Sequence, residues 1–431
     1  MDRERSKVCG SKRLGILVAV LLVASAASAQ GQYKSLFWFG ANGDYSDGAF
    51  PLTGVILDRA GNLYGTTLGG NNECSEGCGV VFQLSRNAHG RWTEQVLHRF
   101  CSLENCADGD WPRGLIFDSA GNLYGSAWGG GASGAGVVFE LSPNSDGTWT
   151  EYVLYSFGSE SDASFPVGSL VFDQAGNLYG ETRYGGTSNN GTVFKLAPNG
   201  NGTWSESVLY GFCSLEGCRD GASPYGGLTI DQQGNLYGAT TYGGVGNNGV
   251  VFKLVPNQDQ TWTETVLHRF TGGAEGYWPG SAPILDAAGN IYGTTPFGGT
   301  ADCVVYGQSG CGVVYKLTPR QGAKWNETVL HAFRGNDGSI PRGPVTFDQN
   351  GNLYGEVGQG GDLLCEGIGC GLVFELTPNS NGKWDRTVVH FFHDKPGADP
   401  LGGLTFDAAG NLYGTTGGGF GFAGSVFEIT P

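Results

Sequence analysis

The chain has 431 residues, 78 of them glycine, with 15% charged residues and a formal charge of −16. So acidic a surface repels phosphate backbones, which argues against general nucleic-acid binding and leaves solubility as the simplest reason for the charge. Abundant glycine without a G-x-y period excludes collagen, and no G-x-S-x-G, P-loop, H-E-x-x-H or Rossmann fingerprint occurs.

The first segment reads as an address. Arg3, Arg5, Lys7, Lys12 and Arg13 precede the apolar run LGILVAVLLVASA, which closes on Ala27-Ser28-Ala29. A basic start, a short apolar stretch and a small-x-small exit predict a secretory signal peptide over 1–29. Cys9 precedes the apolar run and so is not placed as a lipid-anchor cysteine. Removing five basic and two acidic residues moves the formal charge from −16 to about −19. No second long apolar segment follows, so the expectation is a monomer without a membrane span, secreted from a bacterium or held in its periplasm.

The mature chain then repeats itself. The pattern D-x-x-G-N-[LI]-Y-G occurs seven times, with its asparagine at Asn62, Asn122, Asn177, Asn235, Asn290, Asn352 and Asn411, at spacings of 60, 55, 58, 55, 62 and 59 residues. The fourth copy shows four extended segments, GGLTID (226–231), NLYGATTY (235–242), GVVFKLVP (249–256) and WTETVLHRF (262–270). Each is short, β-branched or aromatic, and bounded by Gly, Asn, Asp or Pro. No stretch holds a helical period for three turns. Seven four-stranded units, each too small to bury its own faces, predict an all-β fold: a seven-bladed β-propeller forming one domain over 30–431.

The two ends of the chain agree with a ring. The seventh repeat (401–431) stops at GSVFEITP, after its third strand, while YKSLFWF (33–39) stands unpaired before the first repeat. The N-terminal strand is therefore expected to complete the last blade, which removes both open sheet edges. The repeated D-x-x-G is a type I turn into the second strand, its aspartate accepting backbone N–H groups just ahead. Seven identical copies make a scaffold element and not one active site.

The whole unit, D-x-x-GNLYG, a following GG, G-V-V-F-K-L-x-P and W-x-E-x-V-L, resembles the choice-of-anchor tandem repeat proteins with GloVer repeats. The resemblance covers essentially all of the mature chain and implies a bacterial extracytoplasmic repeat protein, without implying an activity. Members often carry a C-terminal anchoring tail. Here Pro431 follows the last strand, which favours release.

Strand order sends the tight D-x-x-G and P-N-x-x-G-x-W turns to one end of the ring. The longer loops, with ten cysteines, go to the other, and function is expected there. The close pairs Cys74/Cys78, Cys101/Cys106, Cys213/Cys218, Cys303/Cys311 and Cys365/Cys370 sit in different repeats with no histidine close beside them, which favours local disulfides over a metal site. The connecting loops place Asp47, Asp108, Asp162, Asp220, Glu275 and Asp337 at equivalent positions, with Pro396 breaking the series. They form either a carboxylate ring that could take Ca²⁺ or, more simply, turns that hold their own loops. No other cofactor is indicated.

Aromatic residues recur on the same side: Trp128, Tyr184, Tyr242 and Phe297 before a glycine pair, and Trp111, Phe165 and Trp278 before the loop prolines. Exposed, they would suit sugar rings; buried, they fill space between blades. The copies disagree at Glu181, Arg183, Glu356, Arg113 and Arg342. Two carboxylates with arginines could supply acid, base and anion clamp for a uronate, although blades three and six lie almost opposite each other. His98, His268, His331 and His390 share one position of the fourth strand, where packing is the default role. His89 and His393 are isolated, and SDGTW (145–149) is only loosely like the Asp-box turns of propeller glycosidases. The leading reading is a propeller that binds an extracellular glycan without being an enzyme. A polysaccharide lyase or hydrolase, and a protein-binding adhesive scaffold, are the alternatives.

Overall fold

The computed structural model describes residues 31–431 apart from 42, 44, 71–76, 159–161, 301–302, 323, 362–364, 366, 394–396 and 419–422. The expected signal segment, Cys74 and Pro396 lie outside the described residues. What is described is all-β: seven four-stranded antiparallel blades in a ring, with three single-turn 3-10 segments in the connections. The predicted propeller is borne out. No helix of the described residues is long and apolar enough to cross a membrane.

Blade one is typical, with an inner strand at Ile56–Leu57, then Leu63–Thr67, Val80–Arg86 and the outer strand Trp92–Arg99. The second strand is buried at every residue, because neighbouring blades cover both faces, and so reads as a continuous small or apolar run. The outer strand alternates partly buried and exposed positions, as a strand with one wet face must.

Each D-x-x-G turn is a closed hydrogen-bond unit. Asp58 Oδ1 accepts the N–H groups of Ala60 and Asn62 at 2.8 and 2.9 Å, while Oδ2 accepts from Asn62 Nδ2 at 2.8 Å and Tyr64 Oη at 3.2 Å. The Tyr64 ring then leaves its own blade and packs edge-on against Phe117 of the next, with centroids 5.1 Å apart. The final glycine of the motif is a matter of space: a Cβ at Gly65 would lie 2.6 Å from the Phe82 ring.

Blades are joined by a repeated aromatic step. Phe100, at the end of blade one, packs edge-on against Phe139 in the third strand of blade two, and Phe392 meets Phe427 in the same way. Each such ring is fully buried, worth about 1.5–3 kcal/mol. The seam uses the same contact, between Phe39, just after the N-terminal strand, and Phe82 of blade one, with centroids 5.0 Å apart. That strand, Gln32–Trp38, pairs antiparallel with Ser425–Thr430 from Gln32↔Thr430 to Trp38↔Ser425, with one bulge at Ser35/Phe37. It closes the ring as its sequence indicated.

Candidate functional site at the channel mouth

The end of the ring carrying the long loops opens into a cavity of about 740 Å³, within the range of ligand sites. Its wall starts from one loop position in each blade. The residue after the loop proline lines it seven times, as Leu52, Arg113, Val167, Tyr225, Gly280, Arg342 and Leu401. Identical geometry with different side chains gives the rim its chemistry.

That rim is held by an unusual backbone. The residue before each of these prolines has a left-handed φ: Phe50 (57°), Trp111 (53°), Phe165 (58°), Ser223 (51°), Trp278 (61°), Ile340 (60°) and Asp399 (60°). Bulky residues avoid this region, at roughly 1–2 kcal/mol each. Here each N–H crosses to a carbonyl of the preceding blade, from Phe165 N–H to Ala135 O at 2.7 Å to Asp399 N–H to Cys370 O at 3.1 Å, and across the seam from Phe50 N–H to Ala423 O at 2.7 Å. The proline seats against a glycine of that same preceding blade. A Cβ at Gly136 would lie 2.4 Å from Pro166 Cδ, and one at Gly424 2.5 Å from Pro51 Cδ. Spacing alone could not reveal these joints, because each links residues of two repeats.

Of the predicted aromatic residues, Tyr242, Trp278 and Phe297 line the cavity, joined by Tyr225 and Tyr306, which the sequence did not single out. Trp278 sits edge-on between Tyr242 and Phe297, with both centroid distances 5.6 Å, and its Nε1 donates to Asn247 O at 3.1 Å. Phe297 is buried, Tyr242 and Trp278 are half-buried, and Tyr225 is 38% exposed. The other candidates stand outside the wall. Trp111 donates to Gly77 O, Trp128 packs on Phe165 across a blade junction, and the exposed Tyr184 packs edge-on against Phe165. The row is therefore divided between blade packing and cavity lining.

Three arginines line the cavity: Arg113, Arg183 and Arg342. Among the described residues no aspartate or glutamate does. Arg113 Cζ lies 5.2 Å over the Trp128 ring, and Arg183 Cζ lies 5.4 Å over Tyr225 and 5.8 Å over Tyr184. Burial pulls the Arg113 pKa below its ordinary value, the Tyr225 hydroxyl opposes this, and the Arg183 charge adds to the lowering.

Glu181 and Glu356 do not line the cavity, which corrects their assignment to the mouth. Both are buried, against two separate blade seams. Glu181 Oε2 accepts Gly227 N–H of blade four at 2.9 Å, and Glu356 Oε2 accepts Gly403 N–H of blade seven at 2.8 Å. Burial pushes both carboxyls up to about 8, with those single N–H groups opposing it. Threonine does the equivalent job elsewhere: Thr66, Thr294 and Thr415 donate to the carbonyls of Arg113, Gly343 and Thr53 in the next blades, at 3.1, 3.1 and 3.0 Å. The departures from consensus at these two positions are inter-blade contacts, and as a catalytic pair they are not brought together.

The loop carboxylates also turn inward on their own loops. Asp108 accepts Ser102 N–H and Oγ and Leu103 N–H, and Asp220 makes the same set at Ser214 and Leu215. Asp47 accepts Gly40 N–H, Asp162 accepts Ala163 N–H, Glu275 accepts Thr271 N–H, and Asp337 accepts Arg334 N–H. None of the six lines the cavity. The fourth-strand histidines are their partners: His98 Nε2 lies 3.3 Å from Asp108, His268 3.5 Å from Glu275 and His331 3.1 Å from Asp337. Where the strand has tyrosine, Tyr155 and Tyr210 donate to Asp162 and Asp220 at 3.0 and 2.8 Å. His390 instead stacks on Tyr33 at 4.1 Å, and burial, with His393 nearby, holds its pKa down to about 4. The sequence did carry this signal, as a His or Tyr at one strand position followed by a loop acid.

Four expected disulfides are present, Cys101–Cys106, Cys213–Cys218, Cys303–Cys311 and Cys365–Cys370. Cys78 is disulfide-bonded as well. Cys78 comes close to the next blade's pair, however: the sulfurs of Cys78, Cys101 and Cys106 lie within 4.8 Å of one another.

Fold and mouth together define a seven-bladed β-propeller built from a single repeat, with a ligand-sized opening at its long-loop end. The chain belongs to the Gloeobacter/Verrucomicrobia repeat family, which matches residues 21–152, 95–306 and 303–431. No curated protein matches it. Among solved structures it is similar to the extracellular domain of a putative one-component system from B. thetaiotaomicron, with 11% identity and a TM-score of 0.50 over 92% of this chain and 40% of that one. It is also similar to a luciferin-regenerating enzyme, with 15% identity and a TM-score of 0.42 over 74% of this chain and 91% of that one. At 11% identity the likeness to the first of these concerns the fold alone.

Proposed function

We propose that the protein is an exported binding propeller, its residues 1–29 a signal peptide, and that it holds a glycan segment in the channel mouth without turning it over. The observation that carries this reading is the aromatic arc of Tyr225, Tyr242, Trp278 and Phe297 on a cavity of about 740 Å³. Aromatic faces beside a few polar groups suit the mixed surface of a sugar. The seven inter-blade joints hold the arc rigid, which lowers the ordering cost of binding. The disulfides fit an oxidising compartment.

The test is a glycan array on purified 30–431, followed by calorimetry on the hits with Tyr225→Ala and Tyr242→Ala. Central aromatic anchors typically cost more than 1 kcal/mol on truncation, so affinity is expected to fall about fivefold or more with an unchanged melting temperature. Product release from a bound glycan would favour the lyase or hydrolase reading. Absence of binding, or binding indifferent to both substitutions, would overturn the proposal.

A further inference from the structure

In a chain with 40 acidic and 24 basic residues, the charged side chains lining the mouth among the described residues are Arg113, Arg183 and Arg342. Arg113 belongs to the inner strand of blade two and Arg183 to the second strand of blade three; both line the same cavity across a seam, and the Arg183 charge acts on Arg113. Like charges placed so raise each other's energy unless an anion lies between them. The Nε atoms of both are buried and have no hydrogen-bond partner, and neither residue is in an ion pair among the described residues. Buried donors left unpaired cost free energy that a bound acceptor returns. The guanidiniums lie over aromatic rings, Arg113 over Trp128 and Arg183 over Tyr184 and Tyr225. Arg342 differs, since Asp399 already feels its charge.

We propose that Arg113 and Arg183, with the Tyr225 hydroxyl, form an oxyanion subsite that takes the carboxylate or sulfate group of an acidic saccharide. This rests on the glycan reading above and narrows it to charged sugars. It also replaces the Arg113–Arg342 clamp suggested by the sequence with a pair on adjacent blades. A planar fork over an aromatic ring recognises a carboxylate through two parallel N–H donors, and sulfate offers oxygens to the same donors.

Calorimetry on 30–431 uses four probes: sodium sulfate, trigalacturonate, its full methyl ester and a sulfated galactose trisaccharide. Trigalacturonate or the sulfated sugar is expected to bind at least about tenfold tighter than the ester, because hydrogen bonds to charged groups are the strong ones. That advantage should shrink as salt is raised, a readout on the unaltered protein. It should disappear in Arg113→Gln and in the half-buried Arg183→Gln, each of which should weaken binding of the acids far more than binding of the ester. Which of the two acidic sugars wins tells carboxylate from sulfate. Equal affinities for ester and acids, untouched by either substitution, overturn the oxyanion subsite and leave glycan binding standing. Arginine-dependent binding of sulfate with no sugar bound leaves the subsite and overturns the glycan reading. No binding of any probe overturns both.

Discussion

Replacing Glu181 by glutamine should change how stability depends on pH more than it changes stability itself. The folded chain holds a proton on Glu181 up to about 8, against an ordinary value of 4.5, because the carboxyl is fully buried with one N–H facing it. Above 4.5 the unfolded chain has released that proton and the folded chain has not. Folding then binds a proton, and stability falls as pH rises, until the folded group ionises at about 8. At about 1.4 kcal/mol per tenfold change in proton affinity, the whole effect is at most about 5 kcal/mol. Glutamine keeps the shape and cannot ionise. Its amide is left beside Gly238, where Glu181 Oε1 already lacks a partner, a penalty of about 1–3 kcal/mol that does not vary with pH. The variant should therefore be no better than the parent near pH 5 and several kcal/mol more stable near pH 9, with the curves crossing between. Urea unfolding followed by tryptophan fluorescence at a series of pH values measures this. Glu94, Glu151, Glu206, Glu264 and Glu327, which burial raises to about 7, bend the parent profile with the same sign but cancel in the difference. A difference that stays flat from about pH 5 to about pH 9 would show that Glu181 is not held protonated.

Gly424→Ala places a Cβ at 2.5 Å from Pro51 Cδ and at positive φ, so it should cost about 2–4 kcal/mol in urea unfolding and weaken protection of the seam amides first in hydrogen exchange. A loss below about 1 kcal/mol would mean the joint yields easily. Asp108 carries the opposite pH sign: burial alone would raise it, but His98, Ser102 and Leu103 outweigh that and hold it at about 2. Its contribution is present above 3.8 and lost as pH falls toward about 2, so Asp108→Asn should destabilise at neutral pH by about 1–2 kcal/mol and have no effect in strong acid.

The fold was legible because its determinants lie within one repeat. Asp58 and Asn62 are four residues apart, and the lone strand at 33–39 was visible as the seventh repeat's missing piece. The site was less legible because its determinants lie between repeats. Arg183 stood out only as a neighbour of Glu181, and the distance to Arg113 across a seam is not written in either repeat. Glu181 and Glu356 misled for a physical reason: a polar departure in a repeat looks the same whether it faces a ligand or fills the space above a neighbour's glycine. Here Gly238 and Gly414 lie under the carboxyls, and every copy has glycine there. Neither Tyr225 nor Tyr306 recurs between copies, so the repeat pattern gives no sign of them.

The pairing of Gln32 with Thr430 brings the two ends of the described chain side by side. In the other blades that place is taken by a tight hairpin such as the one closed by Asn257 N–H and Thr261 O. Joining the ends would supply a seventh hairpin, and the Phe50, Pro51 and Phe39 contacts at the seam already match their counterparts elsewhere. The ring thus has no privileged first blade. A gene rearranged to begin at any of the other third-to-outer hairpins would encode the same circle, and the mouth would face outward with the same order of side chains around it.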